Sequence, residues 1–130
     1  MSQENVEIMR GFYEKFAHGD FSSFATLRDD FKLATSPELP DAGTYRGEAA
    51  ISWMTAWVES FEDLTMEATE IIDAGDKVLI ALHQRGRPHG SPSIVEGRWW
   101  QVTTLRDGEI VEIQIFPQRA QALEAAGVPE

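Results

Sequence analysis

The chain is predicted to be one α+β domain over residues 1–130, a cone-shaped curled antiparallel sheet packed against N-terminal helices and enclosing a pocket. Three observations point there. Apolar residues recur at helical spacing early in the chain, and β-type runs fill the second half. An Asp-Gly dipeptide separates the last two of those runs. Helices that precede an antiparallel meander pack on one face of it, and a single sheet wrapped around them leaves a cone-shaped hollow.

From Gln3 to Ala17, Val6, Met9, Phe12, Tyr13 and Phe16 share one helix face. Ser2 suits the N-cap and Glu4 the positive first turn, while His18-Gly19 suits the end, where glycine accepts left-handed backbone. Asp20 caps a short second helix, roughly Phe21 to Leu27, with Phe24 and Leu27 facing inward. Asp29 to Thr35 alternates weakly as a short strand, and residues 36–47 read as a loop from their prolines and glycines. Gly47 and Glu48 open a third helix running to about Phe61. Ile51, Met54, Val58 and Phe61 form its stripe, with Trp53 and Trp57 stacked beside it at i, i+4. Leu64 to Ile72 and Lys77 to Arg85 are strands joined by a turn at Asp73-Ala74-Gly75-Asp76, and Gly86 to Ser93 is a loop. Pro117 suits the first turn of a last helix ended by Gly127.

The stretch from Ile94 to Phe116 is a hairpin around Asp107-Gly108, and its register decides which side chains face the helices. A two-residue turn pairs Leu105 with Ile110 and puts Trp100, Val102, Val111, Ile113 and Ile115 on one face. A turn with Gly108 as a left-handed bulge residue pairs Leu105 with Glu109. Trp99, Gln101, Thr103, Val111, Ile113 and Ile115 then share a face. Hydrophobic pattern alone slightly prefers the first.

Composition excludes several function classes. With 22 acidic against 11 basic residues the formal charge is -11, which opposes binding to nucleic acid. The chain has no cysteine, hence no disulfide, thiolate nucleophile or cysteine-ligated metal. The polar start shows no secretory pattern and no apolar run reaches membrane-spanning length, so a soluble cytoplasmic protein is expected.

Four segments carry a resemblance. They are Val6 through Phe16 followed by Gly19-Asp20, Glu38-Leu39-Pro40-Asp41-Ala42-Gly43 with Tyr45-Arg46-Gly47, Leu105 through Val111, and Gln121 through Gly127. In this order they resemble the SnoaL-like branch of the nuclear transport factor two-like superfamily, which also contains ketosteroid isomerase and limonene-epoxide hydrolase. The resemblance implies an α+β cone with a pocket between helices and sheet, commonly dimeric, on a scaffold that hosts isomerases, cyclases, hydrolases and non-enzymes. It also prefers the bulged hairpin register, which is adopted here.

The catalytic residues of those relatives do not carry over. The isomerase pocket uses a tyrosine donor, an aspartate base and a protonated acid. Counted along this chain, those positions fall on Phe12, about Thr35, and near Gln101. Arg98 offers the arginine of an epoxide-hydrolase triad, but no aspartate follows two residues later. The hairpin strands hold no aspartate of the kind the cyclases use.

His83, in Ala81-Leu82-His83-Gln84-Arg85, is the best acid or base available if it faces the pocket. The alternative is a half-buried or solvent-facing histidine, and a single histidine without a partner favours that alternative. Gln101 could orient a ligand carbonyl or hydroxyl, or be satisfied by a neighbour. The expected pocket residues are Phe12, Tyr13, Tyr45, Trp53, Trp57, His83, Trp99, Gln101 and Ile113. The resemblance implies that Asp41, Tyr45 and Arg46 belong to a loop at its mouth. Three scattered histidines without a carboxylate pair give no metal site, and no cofactor is expected. Trp100, beside Val102 and Phe116 on the outer face, suggests a homodimer contact. The leading expectation is a small-molecule-binding protein with an apolar pocket, with cofactor-free isomerase, cyclase or hydrolase chemistry left open. The alternatives are a non-catalytic binder of a hydrophobic metabolite and a dimeric protein-interaction module.

Overall fold

The structure is a computed structural model that describes residues 2–27, 29–38 and 42–129. Helix α1 (Ser2–Ala17) leads through a 3-10 helix (Ser22–Thr26) to strands β1 (Lys32–Thr35) and β2 (Thr44–Arg46) and helix α2 (Glu48–Glu59). Four long strands follow, β3 (Phe61–Ala74), β4 (Lys77–Pro88), β5 (Val95–Arg106) and β6 (Glu109–Phe116), and helix α3 (Arg119–Ala126) ends the order. The local signals act where they occur in the sequence. Gly19 takes a φ of +79° and closes α1. Asp20 Oδ1 accepts from the Ser22 backbone N–H at 3.0 Å and from its hydroxyl at 2.6 Å, a local turn just ahead of the 3-10 helix, whose N-cap is Phe21 rather than the expected Asp20. Of the expected mouth loop, Leu39, Pro40 and Asp41 lie outside the described residues.

The sheet order is β2-β1-β6-β5-β4-β3. Contrary to the expectation of a wholly antiparallel sheet, β1 runs parallel to β6, with Leu33 opposite Ile113. Residues 44–46, read as loop, form β2 and pair with β1. Apolar alternation marks a segment as a strand but carries no information on the edge it joins. β6 would otherwise present a row of unpaired backbone groups, which β1 satisfies. The opposite edge, β3, exposes Glu62, Asp63, Glu67, Glu70 and Asp73, charges that discourage pairing with another strand.

Irregularities in the ladder curl the sheet. The β3–β4 register shifts between Glu62 and Thr65, where Asp63 has a φ of +53°, and again between Ala68 and Glu70. A third shift separates Thr104 from Leu105 against β6. This last one corrects the hairpin reading. Asp107 and Gly108 have φ of +54° and +78°, both central positions of a two-residue type I′ turn, so Leu105 pairs with Ile110. Val111 is then the extra residue of a bulge, because Thr104 already faces Glu112. Beyond it Thr103 faces Ile113 and Gln101 faces Ile115, so Trp99, Gln101, Thr103, Ile113 and Ile115 still share the concave side. An Asp107→Asn change is expected to raise stability by about 0.5 kcal/mol, since asparagine enters the left-handed region more readily. A lower urea midpoint for this variant would contradict the type I′ assignment.

The concave face packs Leu64, Met66, Val78, Ile80, Leu82, Leu105 and Ile113 against Val6, Met9, Tyr13 and Phe16 of α1. The outer face has its own small core, in which Leu79 and Val102, with Trp100 and Phe116, lie under Ala122 and Leu123 of α3. The Arg119 guanidinium sits 5.5 Å above the Trp100 ring. The apolar outer strip read as a dimer contact is therefore covered by the chain's own last helix.

Candidate functional site

Between α1, the 3-10 helix, α2 and the concave face of the sheet lies a cavity of about 460 Å³. That is within the range of small-molecule sites, roughly 300–1,000 Å³. Its helical walls come from two amphipathic patterns: Phe12, Tyr13 and Phe16 on α1, and Trp53, Met54, Trp57 and Val58 on α2. The sheet supplies Leu33, Met66, Trp99, Ile113 and Ile115. Trp53 and Trp57, one turn apart, lie nearly parallel with ring centres 6.3 Å apart, and Trp57 meets Trp99 edge to face at 6.5 Å. The lining is thus mostly flat aromatic surface.

Two carboxamides interrupt it. Gln101 on β5 is 9% exposed, and its Oε1 accepts a hydrogen bond from the Tyr13 hydroxyl. Gln84 on β4 is 3% exposed, and its Oε1 accepts from Trp57 Nε1 at 2.7 Å. Burial pushes the Tyr13 phenol well above its ordinary range, because the phenolate would be stripped of water. The Thr103 hydroxyl offsets a small part of that effect, although it makes no well-formed hydrogen bond of its own. Tyr13 is therefore a neutral hydrogen-bond donor across the whole physiological range. Thr35, which also lines the cavity, accepts from the Gly43 backbone N–H at 2.9 Å and so holds the loop ahead of β2.

Of the expected pocket residues, Phe12, Tyr13, Trp53, Trp57, Trp99, Gln101 and Ile113 line the cavity. Tyr45 stands behind it, packed on Trp53 at 6.0 Å. His83 does not line it. In β4 the inward residues are Val78, Ile80 and Leu82, so strict alternation sends His83 to the outer face and brings Gln84 inside. On that outer face His83 Nε2 lies 3.3 Å from Glu96 Oε1, which also receives Arg85 Nε at 3.0 Å. Gln84 is the residue that sequence reasoning passed over, and the parity of Val78, Ile80 and Leu82 was the signal that could have found it. The counted positions of the isomerase acid-base groups, Phe12, Thr35 and Gln101, all border the cavity. Among the described residues, no aspartate, glutamate or histidine lines it, and none cluster as metal ligands.

Known structures share this architecture. A SnoaL-like polyketide cyclase candidate from Jannaschia sp. superposes with a TM-score of 0.73 at 18% identity, over 99% of this chain and 95% of that one. TerC, co-crystallised with polyporic acid, gives 0.69 at 18% identity over 95% and 98%. A protein from Catenulispora acidiphila with a ketosteroid isomerase-like fold, in complex with trimethylamine, gives 0.68 at 19% over 95% and 94%. At these identities the likeness shows the fold. No curated protein matches the chain. No helix among the described residues is long and apolar enough to cross a membrane. The SnoaL-like domain family matches residues 9–113, most of the length of the sheet and helices described above, and the chain belongs to that family.

Proposed function

We propose that the chain binds a small, flat, largely apolar organic molecule in the cavity between its helices and the concave sheet face. The observation that carries this reading is an aromatic-walled space of about 460 Å³ whose lining residues carry, as buried polar groups, a neutral phenol, two carboxamides and the Trp99 indole N–H, unpaired among the described residues. Such groups orient a ligand but do not exchange protons near neutral pH, so binding is favoured over acid-base catalysis. Relatives of the same fold crystallised with polyporic acid and with trimethylamine support a small-molecule role. The large exposed apolar side chains do not argue for a separate protein-docking face. Trp57 and Val95 border the cavity itself, Ile94 is the next residue along, and Ile8 is a single exposed side chain on α1.

Catalysis is the second reading, and one observation favours it. The buried Tyr13 phenol beside Gln101 could stabilise negative charge developing on a ligand oxygen, as isomerase, cyclase or hydrolase chemistry requires. Thermal unfolding with a panel of planar aromatic compounds tests the shared premise. A true ligand at a hundredfold excess over its Kd adds about 2.7 kcal/mol to stability and raises Tm accordingly. A panel without any shift would remove the binding reading. His83→Ala is expected to leave the ligand-induced shift unchanged, because the imidazole lies on the far side of the sheet. A lost shift in that variant would place His83 back in the argument.

A further inference from the structure

Gln84 is almost wholly buried, and only one end of its amide is used. Indole Nε1–H can donate and cannot accept. The hydrogen bond from Trp57 Nε1 at 2.7 Å therefore fixes Oε1 as the occupied end and leaves the Nε2 end over. The residue borders the cavity, so this leftover pair of N–H donors belongs to its wall. These N–H groups can donate to an occupant of the cavity that carries an acceptor atom. Gln101 repeats the arrangement across the sheet, with Oε1 taken by Tyr13 and the Nε2 end again left over.

Resting on the binding reading above, we propose that Gln84 recognises the ligand by donating from Nε2 to a carbonyl-type oxygen, with Trp57 as the positioning residue that turns this end of the amide inward. The selected class is uncharged and acceptor-bearing, a flat ketone or quinone rather than an amine or a carboxylate. An ammonium group would meet N–H donors and no carboxylate. A carboxylate would be buried without a cation, since Arg98 at the rim is exposed and stands opposite His83 in the ladder.

Calorimetric titration with three probes that share two phenyl rings on one carbon tests the proposal: benzophenone carries the acceptor, diphenylmethane lacks it, and benzhydrylammonium replaces it with a cationic donor. Gln84→Met is expected to weaken benzophenone about tenfold and leave diphenylmethane within about twofold. Trp57→Phe removes the lock on the amide, so the preference for benzophenone over benzhydrylammonium is expected to narrow. Equal weakening of benzophenone and diphenylmethane by Gln84→Met, or none for either, overturns the proposal while leaving the pocket reading intact. Failure of every probe to bind the unmodified protein overturns both. If Gln84→Met does not fold, Trp57→Phe decides alone, and an unchanged benzophenone preference there overturns the assignment.

Discussion

Replacing Gly47 with alanine is expected to destabilise the protein by about 3 kcal/mol or more. Gly47 has φ +54° and ψ -124°, a conformation that side chains avoid, and a Cβ built there would lie 2.3 Å from the Asp29 carbonyl oxygen. Backbone cannot yield as a flexible side chain can. Gly47 itself is held on both sides, its N–H donating to Phe31 O at 2.7 Å and its carbonyl accepting from Ile51 N–H at 3.0 Å. Gly75→Ala supplies the control, for Gly75 has a φ of +78° with nothing near its missing Cβ. That change should cost only the left-handed penalty of about 1–2 kcal/mol. Urea unfolding of the two variants separates the clash from the conformational strain, and equal losses would contradict the close approach. Because Gly47 opens α2, whose Trp53, Met54, Trp57 and Val58 wall the cavity, the Gly47→Ala protein is also expected to lose ligand-induced stabilisation.

Gly47 also illustrates what could be read in advance. Its place before Glu48 marks a helix start from sequence alone, but the contact with Asp29 that makes it irreplaceable joins distant segments and has no local signature. The same division runs through the fold. Helices α1 and α2 were legible because apolar side chains recur at their period, and the four long strands because theirs alternate. The parallel partnership of β1 with β6 was not, since pairing is decided by which backbone edge is left open. Site residues on helices were legible for the same reason as the helices. On β4 the choice between His83 and Gln84 turned on parity alone. Titration chemistry drew notice to His83, whereas the alternation of Val78, Ile80 and Leu82 assigned the interior to its neighbour. In the hairpin, neither the turn nor the face pattern could be settled separately. A type I′ turn and a bulge at Val111 each move the register by one residue, and together they put Trp99 inside and Trp100 outside.

Tyr13→Phe is expected to cost about 2 kcal/mol at neutral pH, because it leaves Gln101 Oε1 facing the buried site without its donor. Combining it with Gln101→Leu removes both partners, and the double variant should be less destabilised than the sum of the single ones by about 1 kcal/mol. The pH dependence has a definite sign. Burial raises the phenol above its ordinary 10.0, so at high pH the folded protein keeps a proton that the unfolded chain has released. The unfolded state then binds fewer protons, and stability falls as pH rises above about 10. Phenylalanine has no such proton to lose. The stability difference between the unmodified protein and Tyr13→Phe should therefore be largest below pH 10 and shrink as pH climbs beyond it, with all other titrating groups common to both. Urea unfolding of the pair at about pH 8 and about pH 10.5 measures the change in that difference. A constant difference would mean that the phenol is as free to ionise in the folded protein as in water, and that the inner end of the cavity is wet.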